Sequence, residues 1–403
     1  MTDAAAAAAQ RANSRNALIA GFLGWTLDAF DFFLLTYVLA DVAKDFNVSM
    51  KEMTLTITAS LAMRPVGALI FGLMADRYGR RVPLMIDVIF YSLVEVLSGF
   101  APNYTIFLIL RLLYGIGMGG EWGVGASLVM ESVPAKWRGL LSGLLQEGYA
   151  LGNLLAGVAY YVVFLRWGWR PLFFIGGLPA LLTLFIRAKV KEPESWKETR
   201  SRDWSGYWKS VLSHWKLFAY LVLLMAMMNF ISHGTQDFYP TFLEKARHFD
   251  PHSKAITTIV SMLGAIAGGL TFGLFSDRIG RRRSMVIAVL LAVLMIPLWM
   301  FAPTTPLIMA GAFLMQFMVQ GAWGVIPAHI NELSPNELRG FFPGFAYQLG
   351  VLIASTSIYI EAVMNEHMSF AMSMGVFAGA VFLIGAVVIA LGPEAKGVHF
   401  GKV

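Results

Sequence analysis

The chain has no cysteine, which removes disulfides, thiolate catalysis and cysteine-ligated metal from consideration. Charge is scarce as well. Asp, Glu, Lys and Arg make up 14% of its 403 residues, where a soluble globular domain carries roughly a quarter. The signatures of common enzyme chemistry are also missing: no H-E-x-x-H, no nucleophile elbow and no Walker loop. Ser232 and His233 adjoin on the chain without a strained turn, so they do not resemble a catalytic dyad. No enzyme activity, metal or cofactor is expected. Hydrophobic residues account for 57% and the mean hydropathy is +0.63. No soluble core of this length hides so much apolar surface, so lipid has to cover it.

A net charge of +6 raises the question of nucleic acid. The basic residues sit in short loops between apolar runs, where they anchor a membrane protein on its cytoplasmic side. No nucleic-acid partner is expected. A bilayer core of about 30 Å needs roughly 20 apolar residues per helix. Twelve runs meet that demand: 17–40, 54–75, 82–100, 104–130, 138–164, 169–187, 215–241, 255–276, 284–302, 306–331, 339–362 and 368–391. Residues 1–16 are polar and Ala-rich, so a disordered cytoplasmic tail is expected there, with no cleavable signal ahead of the first span. Residues 188–214 form the longest polar stretch and serve as a cytoplasmic linker, and 392–403 form a second tail. With the N-terminus inside, Arg77, Arg80, Arg81, Arg278, Arg281, Arg282 and Arg283 all fall inside. Arg166 and Arg170 run against that rule.

An internal repeat organises these spans. FGLMADRYGRR starts at Phe71 and FGLFSDRIGRR at Phe272, 201 residues apart. At the same spacing Trp122-Gly123-Val124 meets Trp323-Gly324-Val325, and Glu131, Pro134, Arg138, Gly139 and Gly143 meet Glu332, Pro335, Arg339, Gly340 and Gly344. One spacing registers three separated stretches. The chain therefore reads as an all-α membrane protein of two pseudo-symmetric six-helix bundles, 17–187 and 215–391, with a binding site between them at mid-membrane. The repeated loop has a mechanical reading. Gly72 permits close helix contact. Asp76 and Asp277 suit helix N-termini, and Arg77, Arg80, Arg81, Arg278 and Arg281 can reach carboxylates such as Glu131 and Glu332. Together they read as a cytoplasmic latch between the halves.

Charges inside the membrane are expensive, at about 2.5–3.5 kcal/mol each on insertion scales. Asp28 and Asp31, three apart on one face of the first span, are open between a structural and a proton-handling role. Glu121 and Glu147 are further proton-coupling candidates. Asp87, Glu95 and Arg111 are expected to pair internally and hold helices together. Arg64, in the middle of the second span, is permanently cationic and offers a planar fork matched to a carboxylate. In the seventh span Asn229, His233 and Asp237 recur every four residues as a polar stripe. Arg64 with His233 and Asp237 reads as an organic-anion site beside groups able to exchange a proton.

The loop motif in both halves, RLLYGIGMGG from Arg111 and VKEPESW from Val190 resemble the major facilitator superfamily over essentially the whole chain. Residues 148–157, GYALGNLLAG, lack the proline of the drug/proton antiporters. The stretch Asn229-Phe-Ile-Ser232-His233-Gly-Thr235-Gln236-Asp237-Phe-Tyr-Pro240-Thr241 resembles the signature of the lactate/pyruvate:proton symporters, a branch of the sialate:proton symporter family. LDAFDFF in the first span, GGEWGVGASLVMES in the fourth and PGFAYQLG in the eleventh agree with it. The resemblance implies a monomeric, proton-coupled rocker-switch symporter in a prokaryotic inner membrane, both termini cytoplasmic. It implies a short monocarboxylate bound by Arg64, Asn229, His233, Asp237 and Gln348. The alternatives are another organic anion such as sialic acid, or a transporter-like nutrient receptor.

Overall fold

A computed structural model describes residues 3–199 and 203–401. Residues 1, 2, 200–202, 402 and 403, which belong to the expected tails and linker, lie outside the described residues. Among the described residues there is no strand. Helix is the form lipid favours, because it satisfies every backbone N–H and C=O within one segment. The first bundle comprises α1 (Asp3–Asp45), α2 (Met50–Tyr78), α3 (Arg81–Gly99), α4 (Tyr104–Ser132), α5 (138–167) and α6 (Arg170–Lys189). The second comprises α7 (Trp215–Lys245), α8 (Pro251–Ile279), α9 (Arg281–Phe301), α10 (Thr305–Leu333), α11 (Phe342–His367) and α12 (Phe370–Leu391). Ten of these are long and apolar enough to cross a membrane. The other two are α4, rich in glycine and carrying Arg111, Glu121 and Glu131, and the interrupted α5.

The interruptions fall at identifiable residues. Helix α5 breaks between Gln146 and Gly148 and takes a π turn at Tyr160–Phe164. Helix α6 tightens into a 3-10 turn at Leu178–Leu181, where Pro179 removes a backbone donor. Helix α7 stops at Gln236 and resumes at Tyr239, ahead of Pro240, so Asp237 sits in the gap. Within each half the same pairs pack together: α2 on α4, and α8 on α10. At Gly119 a side chain would drive straight into the backbone of Arg64, so glycine sets the α2–α4 distance. The halves meet where α11 lies on α2 and α4, and where α5 lies on α8 and α10.

Three segments differ from the sequence expectation. Residues 3–16 do not form a disordered tail: the chain is helical from Asp3 and continues into α1. Asn16 Nδ2 donates to the Lys189 carbonyl at 3.0 Å, and Asn13 accepts from the Lys191 N–H at 2.9 Å, which ties this turn to the end of α6. The linker carries two helices, Glu194–Thr199 and Trp204–Ser213, which touch both bundles, Ser210 donating to Glu337 of the second. On the first, Trp196 donates to the Asp76 carbonyl at 2.8 Å, and Tyr207 Oη donates to the Asp76 carboxylate at 2.9 Å. The last tail is pinned as well. Lys396 Nζ donates to the Arg278 carbonyl at 2.6 Å, and Asn336 donates to the Gly401 carbonyl at 3.1 Å.

Arg170, an exception to the charge rule, has a structural post. It donates to the Gly99 and Ala101 carbonyls at 3.0 Å each and pairs with Asp45 at 3.0 Å, closing the end of α3.

Candidate functional site

At the loop-motif side of the bundles, the repeat builds the same ion-pair cluster twice. Gly79 (φ +101) and Gly280 (φ +106) take left-handed turns that swing Arg80 and Arg281 back under the helices. Arg80 pairs with Asp76 at 2.8 Å and Glu131 at 2.7 Å, and Arg281 pairs with Asp277 at 2.7 Å and Glu332 at 2.8 Å. Each aspartate also accepts two N–H groups from the opposite half. Asp76 takes those of Gly340 (2.6 Å) and Phe341 (3.1 Å), and Asp277 takes those of Gly139 (2.8 Å) and Leu140 (3.0 Å). Gly72 lets α2 approach this junction, since a Cβ there would lie 2.9 Å from the Phe341 Cα. Across the halves Arg138 pairs with Glu332 at 2.9 Å, and Arg339 stands 3.6 Å from Glu131. Burial would loosen the proton on Arg80, yet Glu131 and Asp76 hold it above the usual arginine range.

Three of the expected latch arginines lie outside these clusters. Arg77 lies under the Trp204 ring at 5.4 Å, Arg81 donates to the Arg187 carbonyl, and the Arg278 side chain is exposed. Sequence reasoning missed two acids here. Glu192 accepts the Arg80 and Arg81 N–H groups, and Glu394 accepts the Arg282 N–H at 2.9 Å. Each adjoins a proline, Glu192 before Pro193 and Glu394 after Pro393, a signal too short to find alone.

Above the clusters, toward mid-membrane, lies Arg64. It is buried, and its Nε and Nη2 have no partner. Six arginines are buried among the described residues. Arg80, Arg111, Arg138, Arg281 and Arg339 have carboxylate partners, and Arg64 has none. Its guanidinium lies over the Tyr347 ring of α11, 5.7 Å from the centroid. The neighbouring Gln348 donates to the Gly119 carbonyl at 3.4 Å and leaves its Oε1 unpartnered. On α7, Asn229 is buried and donates to its own helix at Met225, 2.7 Å away. His233 and Asp237 hydrogen-bond at 3.1 Å and keep 39% and 32% of their side chains accessible. This end of α7 is therefore open while the motif side is closed. Arg64 makes no ion pair with Asp237 or His233. Tyr149 of α5 lies within electrostatic reach of Arg64, Tyr347, Asp237 and Asp28, and packs against Trp25 and Phe33. Tyr149 and Tyr347 were missed in the sequence. Tyr347 precedes Gln348, and at the repeat spacing it stands where the first half has Gln146.

The interior of the first bundle holds the remaining acids. Asp28, Asp31, Asp87 and Glu121 are fully buried, and none of their carboxylate oxygens has a hydrogen-bond partner. Glu121 presses on α1 at Gly24, and Asp31 and Glu95 both lie against α6 at Gly176. Arg111 pairs with Glu95 and donates to Ser98. Asp87 does not join that pair, contrary to the expectation that the three would neutralise one another. Glu147 reaches across the halves to α8 at Gly269. Glu361 of α11, unremarked in the sequence, is buried with Oε2 unpartnered and lies against α7 at Gly234.

Two repeated latches across the halves and a buried arginine without an ion pair suit a carrier rather than a catalyst. Residues 21–250 match the profile of the Major Facilitator Superfamily, and residues 216–396 that of the sugar (and other) transporter family. The chain belongs to the major facilitator superfamily. It is a membrane transporter and not an enzyme. It is similar to a probable 4-methylmuconolactone transporter of Cupriavidus pinatubonensis, 31% identical over 386 residues, covering 94% of this chain and 90% of that one. It is also similar to a carboxylic acid transporter protein homolog of Saccharomyces cerevisiae, 28% identical over 94% of this chain and 68% of that one. A third relative is the sialic acid transporter NanX of Escherichia coli, 30% identical over 83% and 84% of the two chains. The fold is similar to that of the proton:xylose symporter XylE, with a TM-score of 0.76 at 18% identity, covering 97% of this chain and 98% of that one.

Proposed function

We propose that the protein is a proton-coupled symporter for a small monocarboxylate of the lactate/pyruvate class, working by rocker-switch alternating access. The observation that carries this reading is Arg64. A buried guanidinium without a carboxylate is costly unless an anion arrives to complete it. The fork of Arg64 takes the substrate carboxylate, and Asn229, His233, Asp237 and Gln348 form the opposite wall. Groups able to take up a proton stand nearby: His233 and Asp237 on the open side, and Asp28, Asp31, Glu121 and Glu147 in the first half. Loading a proton removes a negative charge next to the arriving carboxylate, so the loaded carrier crosses without net charge. One pH unit is worth about 1.4 kcal/mol per proton, enough for roughly tenfold accumulation. The concentration of arginines in the two loop motifs supports a cytoplasmic motif side with cytoplasmic termini, in a prokaryotic inner membrane.

A larger organic anion is the second reading, favoured by the relatives named for sialic acid and 4-methylmuconolactone. One experiment separates the two. Radiolabelled lactate uptake is measured in proteoliposomes under an imposed pH gradient, in competition with pyruvate, acetate and sialic acid. Gradient-dependent uptake competed by pyruvate supports the monocarboxylate. Competition by sialic acid alone moves the substrate to the larger class, and indifference to the gradient removes the proton.

A further inference from the structure

The repeated Trp-Gly-Val has no role in the mechanism so far, yet both tryptophans converge on one residue. Trp122 of α4 lies 4.4 Å from the Tyr347 ring at 39°, and Trp323 of α10 meets the same ring edge-on at 5.9 Å and 80°. Their indole N–H groups fix them in place, Trp122 to Gln146 at 3.2 Å and Trp323 to the Met228 carbonyl at 2.9 Å. All three rings are buried. One residue further along, Gly123 touches Gly344 backbone to backbone across the halves: a Cβ on Gly123 would lie 2.5 Å from the Gly344 Cα. The three rings therefore stand beside a backbone contact between the halves, between Arg64 and the closed motif side.

The ownership of the contacts is unequal. Trp323 and Tyr347 both belong to the second half and travel together when the halves rock. Trp122 and Arg64 belong to the first half, so the Trp122–Tyr347 and Arg64–Tyr347 contacts must part. We infer that Tyr347 is a positioning residue that ties the anion-binding guanidinium of Arg64 to closure of the motif side. Its ring aims Arg64 and, tilted against Trp122, seals the floor of the chamber. A carboxylate on Arg64 competes with the ring for the cation, which links substrate occupancy to release of the floor. This rests on the reading of Arg64 as the anion site.

The absence of cysteine makes the test direct. An Ala126→Cys background places a single thiol at a buried position on α4, among the apolar residues below the rings. Labelling with a membrane-impermeant maleimide from the motif side reads closure without reference to any substrate. Tyr347→Leu should speed labelling and raise the KM for the transported acid about three- to tenfold, the range of a lost cation–π contact. Tyr347→Phe keeps the ring and should leave both near the parent values. Trp122→Leu, which breaks only the contact across the halves, should speed labelling with a smaller change in KM. Parent-level labelling and KM in Tyr347→Leu, in protein that elutes as a single folded peak, would overturn the proposal. So would equal acceleration by Tyr347→Phe. Failure of the parent protein to take up any monocarboxylate sinks the substrate reading alone, because the labelling comparison stands without it.

Discussion

The two halves share one spacing, but they do not spend it on the same chemistry. Asp28 of α1 and Glu147 of α5 fall 201 residues before Asn229 and Gln348, so the first half has acids where the second has amides. Arg64 has Ala265 at its equivalent place, and Glu121 has Ala322. Duplicate scaffolds have thus diverged at these positions, with charged groups in the first half and amides or alanine in the second. An amide satisfies a carboxylate or hydroxyl without competing for a proton, whereas a buried carboxylate cannot stay charged cheaply and is suited to exchange one. The contrast with the motif side sharpens this. There every buried acid is ion-paired with an arginine, while Asp28, Asp31, Asp87 and Glu121 form no ion pair.

The first way to break this division is at its cation. Arg64→Ala should reduce uptake by about a hundredfold or more, consistent with the roughly 3–5 kcal/mol cost of breaking a buried charged pair in the loaded state. Arg64→Lys should recover only part, since an ammonium lacks the planar fork. Undiminished uptake in Arg64→Ala removes the anion site. The second way is to make the halves alike. Asp28→Asn copies the Asn229 side chain into the first half. It should lower gradient-driven uptake about tenfold or more while sparing substrate exchange across equal pH. Equal loss in both assays would assign Asp28 to structure rather than to the proton.

How much of this was legible in the chain depends on periodicity. The bundle architecture was readable because a membrane helix declares itself by length and hydropathy, and because the duplicated loop motif fixes the register. The candidate charges were readable because each interrupts an apolar run. What resisted was anything decided by three-dimensional satisfaction. Asp87 looked like a partner for Arg111, but Arg111 took Glu95 and Ser98, and Asp87 was left alone. Tyr347, one aromatic among 30 Phe, 13 Tyr and 11 Trp, carries no local signal beyond replacing Gln146 of the repeat. Residues 1–16 read as a disordered tail, and 188–214 and 392–403 as a linker and a tail with no sign of where they dock. Their ordering comes from single side chains such as Tyr207 and Phe400 finding partners far away in sequence.

The two latches test a finer asymmetry. Asp76 is 1% exposed and receives the Tyr207 hydroxyl besides Arg80 and two backbone donors, whereas Asp277 is 7% exposed and has no tyrosine. The linker thus reinforces the first-half latch only. Asp76→Asn should therefore open the motif side, read by labelling of Ala126→Cys, more than Asp277→Asn does. The difference should be about three- to tenfold, the worth of one extra hydrogen bond to a charged group. Equal effects would make the linker a passive tether.

The smallest effect belongs to the last tail, where arginines of both halves hold one ring. Phe400 lies 3.8 Å from the guanidinium carbons of both Arg138 and Arg339, which are repeat mates from opposite bundles. Arg138 also donates to the Val398 carbonyl at 3.1 Å. A single ring between two like charges favours keeping them together, and each contact is worth about 0.5–1 kcal/mol at a partly accessible site. Opening the motif side must separate Arg138 from Arg339 and therefore strip at least one of them from the ring. Phe400→Leu keeps the apolar packing against Ala126 and Val129 but removes the quadrupole. It should speed labelling about two- to fivefold while leaving KM unchanged, because the ring lies in the cluster on the motif side of the chamber. Labelling at the parent rate would mean that the Arg138–Glu332 and Arg339–Glu131 contacts hold the halves without help from the tail.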